Sequence, residues 1–181
     1  QHARQNLAWT THVLIPRSLS GFALRLGDNR KMLEEIRQRL AVETFPICQL
    51  LGMEIVCVEA GKASVQLIVT VDHYNPLGTM HGGIYCDLAD MAMGLAFMTT
   101  LETGQSLATV ELKINYFRPV TGGVLRADAR VLHRGKSTGY LECDVIDEQG
   151  RLVARSASTC MVVPPKQGGK VPPMPALQEG L

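Results

Sequence analysis

The chain has no CxxC pair, and its five cysteines (Cys48, Cys57, Cys86, Cys143 and Cys160) match no zinc-site spacing. Several stand among apolar neighbours, where a free cysteine is an ordinary core residue. An odd count without a disulfide or zinc pattern predicts a reducing, cytoplasmic compartment. Net charge is almost absent, at +1, with 19% charged and 46% hydrophobic residues. That balance removes the electrostatic case for a nucleic-acid or membrane partner. No signal peptide is expected, because Pro16 and Arg17 break the apolar run near Val13. Asp72, His73, His81 and Asp90 have no metal-ligand spacing, so no metal site is expected.

Proline is also missing from Ile84 to about Leu101, where Gly94 is the only interior glycine. Ile84, Leu88, Ala89, Met91, Ala92, Met93, Leu95, Ala96, Phe97 and Met98 make this stretch apolar on almost every side. A helix apolar all round is a buried helix. Its length is near that of a membrane span. Asp87 and Asp90 in its first half argue against one, since an unpaired acid in lipid is costly. The reading is one long central helix, wrapped by the rest of the chain. Before it, Asn75-Pro76 and Leu77-Gly78 mark a loop.

At 181 residues the chain suits one domain with a sizeable core. Residues 1–30 show no clear period and read as an N-terminal extension. Asp28 or Asn29 caps an expected helix to about Val42, with Met32, Leu33, Ile36 and Leu40 on one face. Its mixed charges read as a solvated face rather than a recognition helix. Met53–Glu59 and Ala63–Val71 read as strands joined at Ala60-Gly61-Lys62. After Gly104, Leu107–Phe117 alternates: Ala108, Val110, Leu112, Ile114 and Tyr116 on one face, Thr109, Glu111, Lys113 and Asn115 on the polar one. Val124–Leu132, Thr138–Asp147 and Leu152–Val163 complete a meander. Residues 164–181 hold five prolines and three glycines and read as an unstructured tail.

Two strands, one buried helix and four strands predict an α+β fold. An antiparallel sheet needs one face covered, and the only long apolar element is the central helix, so the sheet must curl around it. Asn75-Pro76-Leu77-Gly78-Thr79-Met80-His81-Gly82-Gly83, then Leu88-Ala89-Asp90, resembles the signature of hotdog-fold acyl-CoA thioesterases. The branch it resembles is the PaaI-like, phenylacetate-pathway branch of the 4-hydroxybenzoyl-CoA thioesterase superfamily. Thr109 to Tyr116 (TVELKINY) and His133-Arg134-Gly135-Lys136-Ser137 extend the resemblance, which covers about residues 45–163 of a domain taken as 31–163. It implies the hotdog fold, an acyl-CoA substrate, hydrolysis without a cofactor, and a homodimer often paired again into a tetramer.

Thioester hydrolysis needs a polarised carbonyl, an activated water and a hold on coenzyme A. Gly82 and Gly83 open the helix, where free N–H groups and the positive dipole end suit an oxyanion, or they simply allow a tight junction. The resemblance assigns the donor to Gly82. Asp90, an acid on an apolar helix, is either a general base or a nucleophile, with an ion pair as the plain alternative. The resemblance places the acid there, leaving Asp87 as a solvated or interface residue. His81 is a cap or, as the resemblance implies, positions the thioester. Asn75 donates to the carbonyl or makes the turn. Thr109 resembles the hydroxyl that holds the water with the acid. Arg134, Gly135, Lys136 and Ser137 grip pantetheine and phosphates, or form a plain hairpin. Met91, Met93, Phe97, Met98 and Tyr85 offer an apolar lining compatible with aryl-acetyl or medium-chain acyl groups.

Two rival functions use the same fold. A hydratase or dehydratase pairs an acid with a histidine near the helix, but no histidine follows Asp90 before His133. A non-catalytic acyl-CoA sensor would keep the groove and lose the acid, and Asp90 is present. Helix geometry adds an expectation about assembly. Gly82 and Asp90 lie about 12 Å apart along one axis, too far to serve one carbonyl. A two-fold dimer with antiparallel helices would bring Gly82 of one chain to Asp90 of the other.

Overall fold

The computed structural model describes residues 45–165 together with Leu33, Glu34, Ile36 and Gln38. Those four residues are helical, and Ile36 is buried against the core. The remainder of the expected helix, including its caps, Met32 and Leu40, lies outside the described residues, as do the extension at 1–30 and the tail beyond Pro165.

After those four helical residues comes a short helix absent from the sequence reading, α1 (Pro46–Leu51). Proline opens it where a missing N–H costs nothing, and Gly52, at φ 68°, closes it with its N–H on the Cys48 carbonyl. Then follow β1 (Met53–Glu59), β2 (Lys62–Ile68), a 3-10 turn (Val71–His73), the central helix α2 (Gly82–Met98), β3 (Ser106–Tyr116), β4 (Val124–Arg134), β5 (Thr138–Asp147) and β6 (Leu152–Val163). β2 stops short of the expected Val71 because the chain winds there. The His73 Nδ1 accepts the Thr70 N–H at 3.1 Å, and the His73 N–H returns to the Thr70 carbonyl.

All strand pairs are antiparallel, in the order β1-β2-β4-β5-β6-β3. The sheet curls over α2, which contacts every strand. Val65, Leu67, Leu125, Leu141, Val145 and Cys160 on the sheet meet Leu88, Ala92, Met93 and Phe97 on the helix with essentially no exposure. Each such aliphatic side chain is worth about 1.5–3 kcal/mol on burial. Ser156 and Ser158 sit in this apolar layer because their hydroxyls donate to the Lys113 and Glu111 carbonyls across the β3–β6 ladder. The helix ends earlier than the expected Leu101. Thr99 and Thr100 donate back to the Ala96 and Phe97 carbonyls at 2.7 Å, and Thr99 Oγ1 also accepts the Gly61 N–H from the β1–β2 turn.

Two expectations are corrected. First, the helix is not covered on all sides: Gly83, Asp87, Asp90, Gly94 and Met98, at helical spacing, form a partly open stripe. Second, β3 does not alternate throughout. Thr109 pairs with Cys160 and Glu111 with Thr159, so Val110 is the extra residue of a bulge. The bulge reverses the parity, and Thr109 shares the helix side with Leu112, Ile114 and Tyr116 instead of the polar face.

Candidate active site

The loop before α2 is built by its own side chains. Asn75 Oδ1 accepts the Leu77 and Thr79 N–H groups at 2.9 and 3.3 Å, and its Nδ2 donates to Thr79 Oγ1 at 2.9 Å. The Asn75 amide therefore serves the turn with its oxygen and one donor. Met80 N–H donates to the Val120 carbonyl and His81 N–H to the His73 carbonyl, which anchors the loop to the sheet end.

His81 is the N-cap of α2. Its backbone is extended, and its Nδ1 accepts the Gly83 N–H at 2.9 Å. The Ile84 N–H goes to the His81 carbonyl. Of the first N–H groups of the helix, that of Gly82 is taken by no described residue, and it sits at the positive end of a 17-residue helix. The Gly82 carbonyl accepts the Tyr116 hydroxyl at 2.9 Å, and the same phenol oxygen lies 3.5 Å from Cys86 Sγ.

Asp90 stands in the middle of the open stripe. Its Oδ1 accepts the Thr109 hydroxyl at 2.9 Å, which leaves Oδ2 and the remaining lone pairs of Oδ1 for a water. Asp87, one turn earlier, is exposed; partial burial, and then the charge of Asp90, push its carboxyl above the usual range. Burial likewise raises the Cys160 thiol behind Thr109. Met98 ends the stripe and Met91 flanks it, both half-buried, whereas Tyr85, Met93 and Phe97 are core residues.

The turn holding Arg134, Gly135, Lys136 and Ser137 lies at the other end of the helix. The Arg134 guanidinium stacks 5.3 Å from the centre of the Phe97 ring, and it donates to the Gly135 carbonyl. The Gly135 N–H closes the hairpin on the Thr138 carbonyl, and the Ser137 carbonyl accepts the Val162 N–H. Lys136 and Ser137 are exposed. A single chain thus joins Asp90 with Thr109 and separates both from the hairpin and from Gly82. A hollow of about 430 Å³ lies elsewhere, between Phe117, Arg118, Val120 and the Asp147–Arg151 turn, and no expected site residue lines it. Among the described residues no cluster has metal-ligand geometry.

Comparison with known proteins decides the family. Residues 77–154 match the Thioesterase superfamily. Over 112 residues the chain is 36% identical to the 1,4-dihydroxy-2-naphthoyl-CoA hydrolase of Listeria monocytogenes serotype 1/2a (strain 10403S), covering 62% of this chain and 91% of that one. The chain belongs to the thioesterase superfamily. It is also 35% identical over 107 residues to the acyl-coenzyme A thioesterase PaaI of Escherichia coli (strain K12), covering 58% of this chain and 73% of that one. The fold matches the structure of the E. coli PaaI protein from the phenylacetic acid degradation operon. That match has a TM-score of 0.65 at 24% identity and covers 76% of this chain and 95% of that one. The expected hotdog architecture is therefore present, and this member of the superfamily is a thioester hydrolase.

Tyr116 is a neighbour of the Gly82 junction that the sequence did not announce. Alternation put it on the apolar face of β3, and it stands there. Its contact with Gly82 joins residues 34 positions apart, and no spacing rule reports such a pair. No helix of the described residues is long and apolar enough to cross a membrane.

Proposed function

We propose that this protein hydrolyses acyl-CoA thioesters, releasing coenzyme A and a free aryl or medium-chain acid. The observation that carries the reading is Asp90 itself, a carboxylate on the open face of an otherwise apolar helix, held by Thr109. Asp90 takes the proton of a water that attacks the thioester carbonyl, or attacks that carbonyl itself to give a mixed anhydride that water then opens. The developing oxyanion is met by the Gly82 N–H. Asn75 and His81 shape the approach to that donor. Gly83 lends its N–H to the cap, so its part is to let the chain turn closely there. The Arg134–Ser137 hairpin, with Lys136 exposed and Arg134 half-buried on Phe97, suits the phosphates of coenzyme A.

The site needs two chains. Gly82 and Asp90 of one helix are about 12 Å apart along its axis, and among the described residues the stripe carrying Asp90 lacks a full cover. β3, next to that stripe, pairs with β6 on one side only, and an 11-residue edge strand is a ready template for a second copy. A homodimer with antiparallel helices makes two equal sites, and it leaves a further pairing into a tetramer open to the remaining surface. Met91 and Met98 line the acyl side adaptably.

The test is free thiol released from phenylacetyl-, benzoyl-, hexanoyl- and decanoyl-CoA, with Asp90→Asn as control. Turnover of one or more of them, abolished in the control, supports the reading. Tight binding of all four without turnover would replace it with an acyl-CoA sensor.

A further inference from the structure

The start of α2 is two consecutive glycines, the least restrained pair of residues a helix can begin with. An oxyanion donor works only if it is aimed before the charge develops. The Gly82–Gly83 peptide is held at both of its ends: its carbonyl accepts the Tyr116 phenol at 2.9 Å, and its N–H donates to His81 Nδ1 at 2.9 Å. We propose that Tyr116 is a positioning residue of the thioesterase reaction, fixing the Gly82 backbone so that its N–H points at the thioester oxygen. This inference rests on the acyl-CoA thioesterase reading given above.

The phenol has one proton, and a carbonyl can only accept, so that proton lies on Gly82. The contact with Cys86 at 3.5 Å then runs from thiol to phenol oxygen, giving a chain from Cys86 through Tyr116 to the Gly82 carbonyl. About half of Tyr116 is exposed, but its hydroxyl end lies against the first helical turns. Partial burial there pushes its pKa up to about 12, so it stays a donor at neutral pH. The ring is steadied by an edge contact with buried Tyr85, with centroids 5.5 Å apart. The fit is close: a Cβ on Gly82 would meet the phenol oxygen at 3.1 Å and Cζ at 3.3 Å. Because Tyr116 ends the strand that carries Thr109, β3 aims both halves of the chemistry.

The test uses Tyr116→Phe, which keeps the ring and removes the one hydroxyl. Loss of a single neutral positioning hydrogen bond should lower kcat about tenfold, with KM within about twofold. Gly82→Ala keeps the N–H but crowds the phenol, so it should show a similar loss, and the double variant should be no slower than the slower single one. In 13C,15N-glycine-labelled protein, Tyr116→Phe should move the Gly82 carbonyl and the Gly83 amide resonances and leave those of Gly94 in place. An unchanged kcat in Tyr116→Phe, with Asp90→Asn inactive, overturns the positioning role and leaves the thioesterase reading standing. Additive losses, or a fall in kcat that comes with raised KM and shifts at all three glycines, also overturn it by showing a general structural role. If the parent protein hydrolyses no acyl-CoA, the thioesterase reading fails; unmoved Gly82 and Gly83 resonances would then sink the clamp, and moved ones would sustain it.

Discussion

The Thr109 hydroxyl donates to Asp90 Oδ1 at 2.9 Å, and it reaches that carboxylate because Val110 bulges out of β3. A regular strand with the observed pairing from Glu111 onward would leave the residue before Val110 on the opposite face. Removing the hydroxyl while keeping the shape, as Thr109→Val, should lower kcat about tenfold, the worth of one hydrogen bond to a reacting group. Thr109→Ser should recover most of it. The check is steady-state thiol release. Equal rates for Thr109→Val and the parent protein would mean that the hydroxyl holds neither the acid nor its water.

Asp90 and Asp87 share the open stripe one turn apart, yet their surroundings differ. Asp90 has Thr109, while Asp87 is exposed and has no described hydrogen-bond partner. Asp90→Asn should leave a folded protein with hydrolysis reduced on the order of 10²–10⁴. Asp87→Asn should cost little, because the exposed Asp87 carboxyl is held by no described residue of the site. A reversed ranking would assign the chemistry to the wrong turn of the helix.

How much of this could be read from residues alone depends on the range of the interaction. The glycine–histidine junction, the helix, and the strands at Met53–Glu59, Thr138–Asp147 and Leu152–Val163 follow from local pattern; the structure has those strands at those bounds and the helix at Gly82–Met98. The acid within an apolar run was equally visible. Three features were not. The bulge at Val110 has no glycine to mark it, so strict alternation put Thr109 on the wrong face. The open stripe on α2 carries methionines and glycines as well as acids, so composition read it as buried. The phenol on Gly82 joins distant residues and depends on how the sheet curls.

Gly139 tests the packing that sets the far end of the helix. Phe97 is fully buried beneath it, and a Cβ at Gly139 would fall 2.3 Å from the ring. The His133 carbonyl, 3.1 Å away, limits escape by backbone shift. Gly139→Ala should therefore destabilise the fold by about 1–3 kcal/mol, as overpacking does. That amounts to a Tm several degrees lower by calorimetry. Adding Phe97→Leu, which removes the edge of the ring, should restore part of the loss. A Tm unchanged in Gly139→Ala would show that the ring moves aside freely, and that the Arg134 turn stacked on it is equally loose.

The shared-site dimer makes the most demanding prediction. Asp90→Asn removes the acid from both sites of a homodimer. Gly82→Pro removes the donor, since proline has no N–H, and proline is tolerated in the first turn of a helix. Each variant alone should be nearly inactive. If the Gly82 N–H of one chain works with Asp90 of the other, a mixed dimer has one site with both lesions and one with neither. Random exchange of an equal mixture puts about half of all dimers in the mixed form, so activity should return to about a quarter of the parent value. If each site were instead built within one chain, every site in the mixture would still carry one lesion and nothing would return. Exchange is monitored independently by differently tagged subunits in native mass spectrometry. Inactive mixtures with proven exchange would sink the shared site, and they would require the first turn of α2 to unwind until Gly82 reaches the Asp90 of its own chain.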